Sequence, residues 1–301
     1  MTWLWIPITL FASFCQSIRT ALQKSLAGKV STNASAFVRF AYGAPFALLY
    51  LFCVSFGTKS SLPFPPMVFL GWIFMGSVAQ IVATSLLIHL LGLRNFPVGI
   101  AYTKTEILQV ALFGLIFLGD ELTFLGIAAI ILGSVGIMIF SAAKGSLSLK
   151  NLLTSWVGKP ALIGMASGGC FGLSAIGFRA ASLSSGLDNP FIAASYALAF
   201  STLLQTILMA FYLAWREREQ FAKLLIVWKP SLLAGIASVL GSAGWFTAMT
   251  LQKVAYVRTL ALIELVFTFA ISTIWFKERP NSEEIIGIVL LAIAVAMVLN
   301  A

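Results

Sequence analysis

Long apolar runs, separated only by short polar stretches, occupy nearly the whole of this 301-residue chain. A helix that spans a bilayer needs about 20 mostly apolar residues. Hydrophobic residues make up 60% of the chain and charged residues only 10%, so a soluble surface of ordinary polarity cannot be assembled from it. The sequence therefore predicts an all-α integral membrane protein with about ten transmembrane helices.

The polar stretches between the apolar runs predict where these helices begin and end. The predicted spans are residues 3–23, 33–56, 67–91, 96–118, 122–142, 160–183, 190–214, 230–251, 255–276 and 284–300. The longest weakly apolar connection, residues 144–159, leaves five spans in residues 1–143 and five in residues 160–301. This division predicts two five-helix domains joined by one loop.

The two halves of the chain resemble each other in sequence. A shift of 158 positions places residues 93–120 on residues 251–278, so that Glu106 falls on Glu264. Because each half has an odd number of spans, the second copy enters the membrane from the opposite side and the repeats are inverted. Inverted repeats are common in secondary transporters, where the substrate site lies near the membrane midplane. We therefore predict two inverted five-helix repeats that work by alternating access.

Glu106 and Glu264 are lone carboxylates within apolar runs, where an ionised side chain costs at least a few kcal/mol. Such residues usually face a protein interior or a wet cavity and carry function. At helical spacing, Tyr102 and Gln109 share the face of Glu106, and Thr268 shares the face of Glu264. Burial favours the protonated carboxyl, as a proton-coupled carrier requires. These five residues are candidates for a substrate or proton site.

Basic residues within the apolar runs allow a structural alternative. Each glutamate could instead form an ion pair with Lys104 or Arg258. Arg39 lies about two turns into the second span, and its guanidinium is suited to bidentate binding of a substrate carboxylate. Arg39 could equally extend toward the basic loop before that span. We add Arg39 and Lys104 to the candidates as contacts for an anionic group.

Other polar and aromatic residues in the spans are candidates for a cavity lining or for helix packing. We include Gln80, Tyr196 and Trp245 in the site on this ground. Small residues cluster at 126–136, 164–177 and 235–244, where we expect close helix approach. The three cysteines lie in separate apolar segments without metal-ligand spacing, so neither a disulfide nor a metal site is predicted.

The net charge of +9 comes from basic residues placed singly between apolar runs rather than on one face. Nucleic-acid binding is therefore not predicted. Most of these bases lie in connections that follow odd-numbered spans. Under the positive-inside rule, those connections are cytoplasmic and both termini lie outside.

The segment IELVFTFAISTIWFKERP (263–280) resembles the drug/metabolite transporter superfamily, in particular its EamA-type branch. Residues 104–136 resemble the same pattern of a glutamate, a helix and a charged hairpin. The resemblance covers essentially the whole chain and implies a ten-helix inverted-repeat carrier of amino acids, other metabolites or drugs, often an exporter that exchanges protons. Many members have proline after the glutamate. Ile107 and Leu265 stand there instead, so the expected helix break near the cavity is milder. Some branches have cytoplasmic termini, contrary to the charge count.

These observations predict a secondary active transporter of small organic solutes, such as amino acids, that acts as an exporter or exchanger. Its expected partners are a small-molecule substrate, the lipid bilayer and protons as a coupling ion, in a monomer or homodimer of a bacterial inner membrane. No enzymatic activity, catalytic residue or cofactor is predicted. A lipid-head-group flippase is the alternative, supported by the basic loops. An intramembrane protease ranks lower, because the serine motif GMASGG (164–169) is imperfect and no base is placed beside it.

Overall fold

The computed structural model describes residues 3–26, 29–91, 102–144, 157–263, 265–266 and 281–301. Every regular element in these ranges is helical, which confirms the all-α prediction for them. The helices are α1 (Trp5–Leu26), α2 (Thr32–Ala41), α3 (Ala44–Thr58), α4 (Met67–Leu91), α5 (Glu106–Leu118), α6 (Phe124–Lys144), α7 (Lys159–Leu183), α8 (Pro190–Arg216), α9 (Glu219–Ile226), α10 (Trp228–Leu251), α11 (Val254–Leu260) and α12 (Ser282–Leu299).

Seven helical stretches of the described residues are long and apolar enough to cross a membrane. Large apolar side chains on these stretches point outward: Phe52 is 67% exposed and Phe211 is 74% exposed. Such surface requires lipid rather than water. The prediction of a multi-pass integral membrane protein is confirmed, and the count of ten spans stays a prediction. The seven stretches are Thr32–Thr58, Met67–Leu87, Phe124–Ala143, Lys159–Leu183, Pro190–Arg216, Trp228–Leu251 and Ser282–Leu299.

The chain forms two compact units, and each combines two separate segments of the sequence. The first compact unit comprises Met1–Ile81 and Gly177–Gln252, and the second comprises Val82–Ile176 and Lys253–Ala301. The boundary falls within α4 and within α7. Each predicted repeat is one continuous range of the sequence, whereas each compact unit combines two separate ranges. The compact units therefore do not test the repeats, which stay a prediction.

In the first compact unit, α1 lies antiparallel to α10. A Cβ added to Gly244 would lie 2.8 Å from the Cβ of Ala12, and one added to Gly241 would lie 3.4 Å from the Cβ of Cys15. The indole of Trp245 donates to the amide oxygen of Gln16 at 3.1 Å. Since only glycine permits this backbone approach, the predicted close contact through residues 235–244 is confirmed.

The second predicted span, 33–56, is two helices rather than one. It breaks at Tyr42–Gly43, between α2 and α3, where Pro45 occupies the first turn of α3. Proline has no N–H to donate and its ring collides with the carbonyl four residues earlier. A Cβ on Gly43 would lie 2.9 Å from a methyl group of Val239, so the bend also fits α10 closely.

In the second compact unit, α6 and α12 pack along their lengths in antiparallel fashion. A Cβ on Gly136 would lie 2.9 Å from the Cβ of Leu290, and one on Gly287 would lie 2.8 Å from the Cβ of Phe140. The cluster predicted at 126–136 therefore makes the expected close approach. Helix α5 packs against α6 and α11, and α11 also packs against α12.

A polar clamp joins the start of α2 to the turn between α8 and α9 in the first compact unit. Ser31 caps α2, its N–H donates to the side chain of Gln220 at 2.9 Å, and its hydroxyl donates to Glu217. The amide of Asn33 donates to the other oxygen of Glu217 at 2.7 Å. Next to the clamp, the pKa of Glu219 is lowered, mainly because its own backbone N–H donates to the carboxylate. The clamp brings together the connections after the first and seventh predicted spans, two odd-numbered connections that the charge count places on one side.

Candidate functional site

A helix in the second compact unit breaks immediately before Glu106. A turn at Lys104–Thr105 precedes α5, which begins at Glu106 itself. The sequence predicted one helix over 96–118 with this glutamate inside it, and that placement is wrong. The carboxylate instead lies at the helix N-terminus, where the helix dipole favours a negative charge.

The other half of the chain breaks at the matching position. Helix α11 ends at Leu260 and a turn follows at Ala261–Leu262, two residues before Glu264. The shift of 158 positions places Lys104 on Leu262, so the two turns overlap at this position, and the turn before Glu264 begins one residue earlier than the turn before Glu106. Glu264 and Thr268 themselves lie outside the described residues.

Side chains rather than proline close the turn before Glu106. The hydroxyl of Thr105 donates to the carbonyl of Tyr102 at 2.7 Å, and the Thr105 N–H reaches the same carbonyl at 3.1 Å. Gln109 donates to the Thr105 hydroxyl at 2.9 Å and to the carbonyl of Met165 on α7 at 3.2 Å. Three candidates from the sequence, Tyr102, Glu106 and Gln109, therefore lie together at this turn. The resemblance implied a milder break in the absence of proline, and the turn forms through these hydrogen bonds instead.

Glu106 forms an ion pair with Arg258 across this unit. The Nε of Arg258 lies 3.3 Å from Oε1 of Glu106, and the two side chains are 22% and 19% exposed. These two atoms share no hydrogen bond. Of the two structural partners that the sequence left open, the structure selects Arg258, and the side chain of Lys104 is exposed.

Arg39 lies in a small polar cavity of the first compact unit, between α2, α4, α8 and α10. The cavity measures about 10 Å³, which is room for about one water molecule. The Nε of Arg39 is buried and has no hydrogen-bond partner among the described residues. Gln205 donates to Gln80 at 2.7 Å at the cavity wall. The cavity is lined by Arg39, Phe40, Gln80, Leu198, Ser201, Thr202, Gln205, Ser238, Val239, Ser242 and Phe246.

Residues 159–300 match the model of the EamA-like transporter family. This part of the chain is similar to that family. The family is part of the drug/metabolite transporter superfamily, so the resemblance found in the sequence is confirmed. A solved crystal structure with 13% sequence identity matches 99% of this chain and 97% of its own chain with a TM-score of 0.66, which shows a similar fold. No curated protein matches the chain.

Two candidates in the EamA-like half make helix-packing contacts. The hydroxyl of Tyr196 donates to the carbonyl of Pro63 at 2.9 Å, and its ring packs 4.9 Å from the ring of Phe69. Trp245 holds α10 against α1 through its bond to Gln16. The structure brings neither side chain into the lining of the Arg39 cavity.

The sequence reading missed the hydroxyls that line the cavity beside Arg39. Ser201 and Thr202 lie on α8, and Ser238 and Ser242 lie on α10. Ser238 and Ser242 are four residues apart, and Ser201 and Gln205 likewise, which is the spacing of one helix face. That repeated polar spacing in apolar helices was the available signal in the sequence. It did not single out a cavity, because small polar residues at the same spacing also serve ordinary helix packing.

Proposed function

We propose that the protein is a secondary active transporter that moves a small organic solute, such as an amino acid or a related metabolite, by alternating access. EamA-like proteins are membrane transporters of the drug/metabolite type. The observation that carries the finer proposal is the pair of matched helix breaks, one before Glu106 and one before Glu264. Discontinuous helices of this kind form substrate and ion sites in secondary transporters, because the free helix ends bind charge.

The helix contacts within the two units support inverted repeats in residues 1–143 and 160–301, joined by residues 144–159. If the two repeats are equivalent, each span of the first repeat corresponds to the span five places later in the second. A contact between two corresponding spans is then its own symmetry mate. Three such contacts occur, between spans 2 and 7, spans 4 and 9, and spans 5 and 10. The contact of span 1 with 8 becomes that of span 6 with 3, which Ser167 and Ala83 make through a 2.9 Å hydrogen bond.

The Glu106–Arg258 pair supports proton coupling in the second compact unit. Protonation of Glu106 removes its charge and with it the attraction that joins the start of α5 to the end of α11. The two paired atoms share no hydrogen bond, so opening of the contact breaks no hydrogen bond between them. Proton binding would thus favour separation of the two half-helices, and Glu264 is the matched second proton site. Lys104, Tyr102 and Gln109 lie within one turn of the first along the chain and are further candidates for its site.

The test uses purified protein in proteoliposomes, a panel of radiolabelled amino acids and an imposed pH gradient. We expect gradient-driven flux in the wild type, and Glu106→Gln to lower it at least tenfold while solute exchange without a gradient persists. Glu121→Gln is the matched control, since Glu121 is an exposed carboxylate of the same unit. Unchanged pH dependence in Glu106→Gln would remove this residue from coupling. Absence of solute flux in the wild type would contradict the transport proposal.

A lipid-head-group flippase is a second candidate, favoured by an apolar groove in the first compact unit. The groove has a volume of about 460 Å³ and lies between α1, α3 and α10. Phe11, Leu49 and Leu240 are among its walls, and such a lining suits an acyl chain. Translocation of fluorescent lipid between leaflets, without flux of water-soluble solutes, would favour this candidate over the transporter.

The arrangement of Ser167 argues against the intramembrane protease. Its hydroxyl is fully buried and donates to the Ala83 carbonyl at 2.9 Å. The side chain of His89 is exposed, and a nucleophile needs its base within hydrogen-bond reach. We propose a transporter in a bacterial inner membrane, as a monomer or homodimer, with the substrate, the bilayer and protons as partners.

A further inference from the structure

We propose that the cavity around Arg39 binds a carboxylate group of the transported solute, an inference that rests on the proposed transport function. The site lies in the first compact unit, whereas the Glu106–Arg258 pair lies in the second. Its ligand is a small organic anion with one carboxylate at the guanidinium.

The first step is the charge of Arg39. A guanidinium stays protonated under all conditions that a protein experiences. Its Nε is buried without a hydrogen-bond partner among the described residues, and the ring of the adjacent Phe40 lies 4.9 Å from the guanidinium carbon. An uncompensated buried charge destabilises a folded protein. Charged residues at membrane depth persist mainly where function requires them.

The second step is the source of the missing negative charge. The sequence contains no Asp or Glu before Glu106. The acidic residues of the first compact unit are Asp188, Glu217 and Glu219, and all three lie outside the candidate membrane spans. Within this unit Arg39 is instead close enough to Arg19 for the two guanidinium groups to repel. No carboxylate of the described residues in this unit pairs with Arg39, and we assign its counter-charge to a ligand.

The third step is the chemistry of the cavity wall. Hydroxyl groups of Thr202, Ser238 and Ser242 and the amides of Gln80 and Gln205 line it. Hydroxyl and amide groups donate hydrogen bonds to carboxylate oxygens, and arginine binds a carboxylate in a bidentate manner. Arg39 is the charged side chain among the described residues of the lining, and one carboxylate compensates its charge.

The fourth step is size. A cavity of about 10 Å³ holds about one water molecule, which is too little for an organic anion. The structure is therefore a closed form, and the carboxylate binds a more open form of the same cavity. Because the walls come from α2, α4, α8 and α10, binding shifts the population of open and closed forms. Alternating access requires such a shift.

The experiment measures thermal unfolding of the purified full chain with and without anions. The probes are butyrate, succinate and leucine, their amide analogues butyramide, succinamide and leucinamide, which lack the carboxylate, and inorganic phosphate. We expect at least one carboxylate to raise the unfolding temperature of the wild type while its amide does not. Arg39→Gln should weaken this effect at least tenfold in concentration, and Arg39→Lys should fall between. Arg216→Gln, which removes an exposed charge from the same unit, should behave as the wild type.

The ligand-free proteins give an independent reading. Since Arg39 is partly buried and pairs with no carboxylate of the described residues, Arg39→Gln should unfold at the same temperature as the wild type or higher. A structural arginine would produce the opposite shift. The proposal fails if carboxylates stabilise Arg39→Gln as they stabilise the wild type, if none of the probes stabilises the wild type, or if phosphate alone does.

Flux measurements separate this inference from the transport proposal. Glu106-dependent flux of amines or neutral solutes, with no carboxylate effect, would overturn the Arg39 site and leave the transporter standing. Arg39-dependent carboxylate binding without any solute flux would support the Arg39 site and overturn the transport proposal.

Discussion

At the scale of single residues, arginines in apolar surroundings are neutralised in different ways. Arg179 donates to the carbonyls of Met249, at 3.2 Å, and Gln252 at the end of α10, where the helix dipole favours a cation. Arg258 forms an ion pair with Glu106. Arg39 has neither kind of partner among the described residues. The same residue type thus serves helix capping, helix pairing and, as we propose, ligand binding.

The ion pair gives a prediction at this scale. Glu106→Gln and Arg258→Gln should each destabilise the protein, because each removes one charge of a partly buried ion pair. The double variant should be more stable than the sum of the single effects predicts, by roughly 0.5–1 kcal/mol, since the pair is partly exposed. Chemical unfolding in detergent gives the free energy of unfolding of the wild type, the two single variants and the double variant. Strictly additive effects would show that the two charges do not interact.

At the scale of helices, glycines decide which helices pack closely. The contact of α6 with α12 depends on Gly136 and Gly287, and the contact of α1 with α10 depends on Gly244. The clusters of small residues in the sequence predicted these approaches because bilayer lipid offers no hydrophobic drive between helices, which leaves backbone packing as the main attraction. The helix break before Glu106 was not predicted at its position, since Thr105 and Gln109 have no distinctive pattern there.

Gly287→Ala tests the packing of α6 with α12. The new methyl would lie 2.8 Å from the Cβ of Phe140 and 3.0 Å from the carbonyl oxygen of Gly136. Backbone cannot move away cheaply, so we expect a loss of about 1–3 kcal/mol in the free energy of unfolding. Gly71→Ala is the control, because nothing lies within 4 Å of its added Cβ. Alanine there should be neutral or stabilising by up to about 1 kcal/mol. Equal effects of both changes would exclude close packing as the cause.

At the scale of the whole molecule, neither half of the sequence forms a compact unit alone. Each unit combines residues of the first half with residues of the second. The four helix pairs named above, spans 1 with 8, 2 with 7, 4 with 9 and 5 with 10, join residues from different halves. The halves therefore depend on each other for burial of their packing faces.

A split chain tests this dependence. Residues 1–150 and 151–301, expressed together with different tags, should co-purify as one complex, because the cut falls in the predicted connection between repeats. Residues 1–150 expressed alone should aggregate or be degraded. Size-exclusion chromatography in detergent, with the intact chain as control, gives the measurement. A monodisperse first half that does not bind the second would contradict the interleaved units.

The sequence by itself determined the membrane location, the helical class, the family and the glycine contacts. Bilayer thickness sets the length of an apolar run and close packing requires small residues, so these properties can be read locally. Only the tertiary structure decided that Glu106 pairs with Arg258 rather than Lys104, and that Arg39 shares a cavity with Gln80 and hydroxyls of α8 and α10. Those partners are far apart in the chain, and the electrostatic energy of a charge depends on distances that folding alone creates.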